Sequence, residues 1–124
     1  MVVDDDAGRQ QILKDALSDG YRLTFVSDPD IVAKAIADTD VVLLNLRAGT
    51  VNPYQMLRRI KTQPNSTATV MVIALPDSIE SVARCLEMGC DDYVLEPLHP
   101  ALLRARVASG VAMQQMRITM AEQQ

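Results

Sequence analysis

Short apolar runs and amphipathic stretches alternate along the whole chain. Met1-Val2-Val3 runs directly into Asp4-Asp5-Asp6. Over residues 7–18, Ile12, Leu13, Ala16 and Leu17 fall on one helical face, and Gly20 supplies a stop. Arg22-Leu23-Thr24-Phe25-Val26 alternates polar and apolar positions, which predicts a half-exposed strand. Asp28-Pro29 joins a capping side chain to a proline in the first turn, and the helix it opens turns Ile31, Val32, Ala35 and Ile36 inward. Val41-Val42-Leu43-Leu44-Asn45-Leu46 is a nearly unbroken apolar run, as a strand covered on both faces requires. After a loop bearing Gly49, Asn52-Pro53 starts a third helix with Met56, Leu57 and Ile60 inward. Val70-Met71-Val72-Ile73-Ala74-Leu75 is the next buried strand. Asp77 with Glu80 three residues on resembles a capping box for a fourth helix that reaches Met88 and ends at Gly89. Residues 92–95 make a short fifth strand, and Pro100 opens a last helix that extends at least to Met120.

Five strands alternating with five helices over short loops predict an α/β fold with a parallel sheet and helices on both faces. The alternating second strand belongs at an edge, and the apolar first, third and fourth strands belong inside. The order 2-1-3-4-5 follows, a single doubly wound (βα)5 domain of flavodoxin type. Such sheets carry their sites beyond the carboxyl ends of the strands, which here are Asp4-Asp5, Asn45, Ala74 and Glu96.

Composition removes several classes of function. The 124 residues suit one domain, and 48% hydrophobic against 23% charged residues is ordinary for a soluble globular protein. No apolar run approaches the roughly 20 residues of a membrane span and no signal peptide opens the chain, so the expected setting is the cytoplasm, away from membranes. A net charge of −4 and only four aromatic residues (three Tyr, one Phe) argue against nucleic-acid binding, which uses basic stripes and stacking aromatics. Cys85, Cys90 and the single histidine, His99, fall short of the roughly four ligands of a zinc site. They read as two small buried thiols and a surface loop residue.

Three segments, Val2-Val3-Asp4-Asp5-Asp6, Asp40-Val41-Val42-Leu43-Leu44-Asn45-Leu46 and Leu86-Glu87-Met88-Gly89-Cys90-Asp91-Asp92-Tyr93, occur in order and are followed by Pro97. With them the chain resembles a response-regulator receiver domain over essentially its whole length. The resemblance implies that Asp4 and Asp5 help to hold a magnesium ion. It also implies an aspartate ending the third strand that takes a phosphoryl group from a histidine kinase. A serine or threonine ending the fourth strand and a lysine ending the fifth would then contact the phosphoryl oxygens. This chain carries Asn45, Ala74 and Glu96 at those three positions. An amide has no carboxylate nucleophile, Ala74 offers no donor, and Glu96 puts a negative charge where a cation would meet the phosphoryl anion. Each change removes a different part of one mechanism, so together they predict loss of phosphotransfer. The loop after Asn45 also departs from the family's pattern, as expected of a loop that no longer has to admit a phosphoryl group.

Asp4, Asp5 and Glu96 form an expected anionic cluster, of which three readings stand side by side. It binds a hard divalent cation through residual oxygen ligands; it is a solvated cluster with one carboxyl raised in pKa; or Arg47 swings in as an internal cation. No cofactor is required, and magnesium on Asp4 and Asp5 would bind weakly for want of a third anionic ligand.

The first run is shorter than the usual strand of about five or six residues, which suggests a chain cut from something longer. At the other end, Met113, Met116 and Met120 repeat at three and four, as in a coiled-coil seam, with Gly110 interrupting it. The expected division is a receiver over 1–110 and a helical extension over 111–124, either a linker or a coiled-coil stub. A degenerate receiver with a continuing helix resembles the second, non-phosphorylatable receiver of PleD-type diguanylate cyclases. The expected function is therefore not enzymatic. The chain is read as a pseudo-receiver of a two-component or phosphorelay protein, docking or dimerising for a neighbouring output domain. Its partner is protein, a second copy or a domain of the same chain, met through the fourth helix, fifth strand and fifth helix with Asp91, Asp92, Arg104 and Arg106 supplying charge. The alternative is a receiver-fold switch that still answers to a divalent cation or another ligand.

Overall fold

The computed structural model describes residues 1–49, 52–64 and 66–123; Thr50 and Val51 of the altered loop, Asn65, and Gln124 at the end of the expected extension lie outside the described residues. The elements are β1 (Val2–Val3), α1 (Ala7–Leu17), β2 (Phe25–Val26), α2 (Pro29–Ala35), β3 (Val41–Asn45), α3 (Pro53–Lys61), β4 (Thr69–Ala74), α4 (Ile79–Glu87), β5 (Asp92–Leu95) and α5 (Pro100–Glu122). The five strands form one parallel sheet in the order β2-β1-β3-β4-β5, with β1 between Phe25–Val26 on one side and Leu43–Leu44 on the other. This is the expected flavodoxin-like order.

Alternation along β3 and β4 explains why both strands read as unbroken apolar runs. Val42, Leu44, Val70, Val72 and Ala74 face one layer, where they meet Val32, Met56, Leu57, Ile60, Val82 and Cys85 of α2, α3 and α4. Val41, Leu43, Met71 and Ile73 face the other and meet Leu13 and Leu17 of α1 and Leu103 and Val107 of α5. Each large side chain so buried contributes about 1.5–3 kcal/mol relative to exposure, and the two layers together fix the register of the central strands.

Local signals behave as their chemistry dictates, with some corrections. The Asp6 carboxylate accepts from the Arg9 amide at 2.8 Å, and Asn52 Oδ1 accepts from the Tyr54 and Gln55 amides, capping α1 and α3. The Asp77–Glu80 capping box does not form, because Pro76–Ser78 make a tight 3-10 turn and Ser78, not Asp77, precedes α4. Ile12 and Ile31, expected inward, are each 51% exposed: α1 packs on Leu13, Ala16 and Leu17, α2 on Val32, and a position one residue earlier is turned by about 100°. The ladder of β2 is only Phe25–Val26, although the alternation of half-buried Leu23 and exposed Thr24 persists before it.

Gly110 does not interrupt α5, which runs unbroken through it. The glycine is there for close approach: a Cβ would stand 3.3 Å from Thr69 Cγ2 and 3.5 Å from Met71 Sδ, and Thr69 Oγ1 donates to the Gly110 carbonyl at 2.6 Å. Beyond it the helix stays fastened to the body. Gln114 is buried and its Nε2 donates to Thr67 Oγ1 at 3.3 Å, while Arg117 donates to the Ala68 carbonyl at 3.2 Å and to the Asp91 carboxylate. Met116 and Met120 point outward, each 62% exposed. Among the described residues no helix is long and apolar enough to cross a membrane.

Candidate functional site

The carboxyl ends of β1, β3, β4 and β5 converge, as parallel winding requires. They bring together Asp4, Asn45, Ala74 and Glu96, of which the first three are buried. Asp4 follows β1 directly, and its side chain is fully enclosed. Arg9, in the first turn of α1, reaches back over it in a two-pronged contact: Nε donates to Oδ2 at 2.7 Å and Nη2 to Oδ1 at 2.8 Å. The Asp6 amide adds a third donor at 3.1 Å, and Gln10 Nε2 donates to the Asp4 carbonyl at 2.9 Å. Burial alone would raise the Asp4 pKa; the hydrogen bonds from Arg9 and Asp6 and the charge of Arg9 outweigh it, so the carboxyl lies below its usual value. At Asp4 this is the opposite of the raised carboxyl that one of the three readings expected.

Asn45 ends β3 with 2% of its surface exposed. Its Oδ1 accepts from the Arg47 amide at 2.8 Å, and its Nδ2 donates to Glu96 Oε1 at 3.1 Å. Only this orientation of the amide satisfies both neighbours, since an amide N–H needs an acceptor and a carboxylate needs a donor. The Arg47 guanidinium pairs with the other oxygen of Glu96. Of the three readings of the cluster, the internal cation at Arg47 is the one the geometry contains. Arg9 is a second cation that the sequence reading missed. Two anions and two cations therefore balance around Asn45, while Asp5 stays exposed and its side chain takes no hydrogen bond among the described residues.

The magnesium ion that the fold family implies needs several free oxygen ligands. Here both Asp4 oxygens hold Arg9, Asn45 Oδ1 holds the Arg47 amide, and Glu96 is divided between Asn45 and Arg47. No group of three or more His, Cys, Asp or Glu gathers in a metal-binding arrangement among the described residues. Asp5 is the one expected ligand whose side chain is not engaged among the described residues, and a single exposed carboxylate beside these occupied groups does not fit the ion.

The second set of expected site residues lies on α4, β5 and α5. Asp92 pairs with Arg106 at 3.3 Å within the chain, and Arg104 is exposed with no ion pair among the described residues. Asp91 is held inside by Lys61 at 3.5 Å, by Arg117 and by the Val70 amide at 2.8 Å. Burial works against its charge, but these partners prevail and its pKa is lowered. Ile79, Leu86 and Leu102 are exposed apolar residues of α4 and α5. Cys85 and Cys90 are buried and unlinked, and burial, with the nearby Cys85, pushes the Cys90 thiol up to about 11. His99 is an exposed residue at the mouth of α5 and makes no side-chain cap.

Residues 1–108 match the family of the response regulator receiver domain. The chain is 32% identical over 110 residues to the DNA-binding response regulator MtrA of Mycobacterium tuberculosis, covering 86% of this chain and 47% of that protein. It is 24% identical over 111 residues to a cyclic di-GMP phosphodiesterase of Thermotoga maritima, covering 90% of this chain and 30% of that one. The crystal structure of NtrX from Brucella abortus superposes with a TM-score of 0.84 at 21% identity, over 99% of this chain and 28% of that one. The chain thus spans less than half the length of these relatives, and what it shares with them is one module. The sheet order, the convergence of Asp4 and Asn45 at the strand ends and the match over residues 1–108 agree: the chain belongs to the response regulator receiver family.

Proposed function

We propose that this receiver has lost phosphotransfer and serves as a docking or dimerisation adaptor. The carrying observation is the Glu96–Asn45–Arg47 arrangement, in which the chain's own side chains take up the hydrogen-bonding capacity at the acceptor position. Asn45 lacks a nucleophilic oxygen, Ala74 supplies no hydroxyl, and Glu96 is an anion. Receiver folds meet other proteins or other domains of their own chain, and a fold freed from its chemistry keeps that capacity. The proposed surface is α4, β5 and α5, where Ile79, Leu86 and Leu102 supply apolar area and Arg104 and the Asp92–Arg106 pair supply charge. Asp91 contributes from behind, by holding Lys61 and Arg117.

The adaptor beside an output domain, as in the second receiver of PleD-type diguanylate cyclases, is the parent arrangement we favour. The likeness to a cyclic di-GMP phosphodiesterase supports an output domain that handles the same nucleotide class. The competing expectation, a switch that answers to a divalent cation, would require Asp4 to leave Arg9. The reading also makes the chain a non-enzyme that works in the cytoplasm.

Two measurements test it. Incubation with acetyl phosphate and magnesium should leave the intact mass unchanged; a hydroxylamine-labile phosphoryl adduct would overturn the loss of phosphotransfer. Light scattering should detect self-association that weakens in the Arg104→Glu, Arg106→Glu double variant. A wild type that stays monomeric at high concentration, or a double variant that associates equally well, would remove this surface from the proposal.

A further inference from the structure

The receiver pocket of this chain contains a resident cation of its own. We propose that the Arg9 guanidinium permanently takes the charge-balancing place of a divalent ion at Asp4, so that the folded chain neither needs nor takes up magnesium while Arg9 is present. The inference rests on the Arg9–Asp4 contact, and it stands whether or not the chain is an adaptor.

Three observations carry it. The first is geometric: a planar guanidinium meets both carboxylate oxygens at 2.7 and 2.8 Å, the fork-to-fork arrangement that is stronger and more directional than a single contact. The second is burial. The Asp4 side chain is sealed from solvent, and an ionised carboxylate so placed requires a partner of opposite charge. The third is the position of the cation. Arg9 stands in the first turn of α1, where the helix dipole disfavours positive charge, and no acidic residue shares that turn. A cation held there against the dipole is explained by the carboxylate it faces. Arg9 is also favoured in its charged form, first by its hydrogen bond to Asp4 and in smaller part by Asp6 and by Glu96 across the pocket.

The guanidinium differs from a metal ion in one consequential way. An ion can leave and return, so a pocket that binds one responds to its concentration. Arg9 is covalently part of α1 and remains charged at every physiological pH. The pocket should then be silent toward magnesium, and α1 should be fastened to the end of β1 in every state of the chain.

The test compares the wild type with Arg9→Ala, Arg9→Lys and the double variant Asp4→Asn, Arg9→Ala. Melting temperatures are read in EDTA, in about 10 mM magnesium chloride and in sodium chloride of matched ionic strength, a concentration at which even weak binding stabilises measurably. Manganese is added as a paramagnetic probe that broadens nearby NMR signals. The wild type should melt at one temperature in all three conditions, with no broadening near Asp4. Arg9→Ala, left with an unpaired buried carboxylate, should melt about 5 °C or more below the wild type in EDTA and should recover part of that loss in magnesium alone. Arg9→Lys should lie between the two, because an ammonium replaces the charge but not the fork. The double variant should melt above Arg9→Ala and ignore magnesium, since neither charge is left. If Arg9→Ala is too unstable to purify, the double variant and Arg9→Lys still decide. A magnesium response in the wild type overturns the proposal. So does an Arg9→Ala or Arg9→Lys protein as indifferent to magnesium and manganese as the double variant.

Discussion

Restoring the missing carboxylate by Asn45→Asp should damage the protein rather than repair it. The Asn45 side chain is nearly sealed, with its Nδ2 3.1 Å from Glu96 Oε1 and its Oδ1 bonded to the Arg47 amide. Aspartate keeps the second contact and turns the first into an encounter of two carboxylate oxygens. Two unit charges at 3.1 Å with an effective dielectric constant of about 20 repel by about 5 kcal/mol. A hydrogen bond to a charged group, worth about 1.5–3 kcal/mol, disappears as well. The Arg47 guanidinium offsets part of this, and a proton shared by the two carboxyls limits the rest at about 1.4 kcal/mol for each unit of pKa shift. The net expectation at pH 7 is a loss of about 3–5 kcal/mol, or about 10–20 °C in melting temperature for a chain of this size.

Urea unfolding at pH 7.5 and at pH 5.5 is the assay. The variant's folded state would hold a proton that its unfolded state releases, so its stability rises as pH falls and the gap to the wild type narrows at the lower pH. Adding Glu96→Lys to Asn45→Asp should recover most of the loss, with a coupling of about 2 kcal/mol or more between the two sites. Asn45→Asp alone should not bind beryllofluoride with magnesium, because Ala74 and Glu96 remain. A variant within about 1 kcal/mol of the wild type at both pH values, or one whose deficit ignores pH, would refute the electrostatic reasoning. Tight beryllofluoride binding by the single variant would show that the other two losses count for little.

Four further outcomes are expected. Arg117→Gln should lower stability by about 1–2 kcal/mol and loosen the end of α5, read as faster amide exchange over residues 111–122, since Arg117 is partly exposed and Lys61 still faces Asp91. Because the Asp91 pKa is lowered by folding, its contribution is present above the unfolded value and is lost as pH falls below about 4; Asp91→Asn should show a shallower acid transition than the wild type. Gly110→Val should cost about 1–3 kcal/mol by thermal melting, because its side chain would enter the space of Thr69, Met71 and Val41. Native Cys85 and Cys90 should react with a thiol reagent at neutral pH far more slowly than in urea, since both are buried and the Cys90 pKa is about 11.

Most of the fold was legible because the sheet is parallel and covered on both faces. Burial on two sides confines the polar residues of β3 and β4 to their ends, Asn45 and Thr69, so their apolar runs announce central strands, while the alternation around Phe25 marks an edge. Proline after a capping side chain opened α2 and α3 where expected. What periodicity could not resolve was rotation. Ile12 and Leu13 are equally apolar, and only packing against α5 and the sheet decides which of them is covered. Gly110 reads as a helix breaker by propensity, and only the approach of Thr69 to within 3.3 Å of a notional Cβ explains a glycine inside an intact helix.

The site was half legible for a related reason. Strand ends can be counted from sequence, and that count returned three carboxylates without a lysine. Their counter-charges come from residues displaced from those ends, Arg47 two positions beyond Asn45 and Arg9 five beyond Asp4, and side-chain direction decides whether such residues return. One cue was available: an arginine in the first turn of α1, a turn with no acidic residue of its own beyond the Asp6 cap, sits against the helix dipole. The same geometry gives Asp4 a structural task in a pocket without an acceptor aspartate. Its carboxylate takes Arg9 and the Asp6 amide while its carbonyl takes Gln10, so three residues at the start of α1 are fastened to the end of β1. A two-residue strand has little ladder of its own to hold a helix in place. Asp4 is thus a structural anchor, and its removal should be felt in the position of α1 before it is felt in any chemistry.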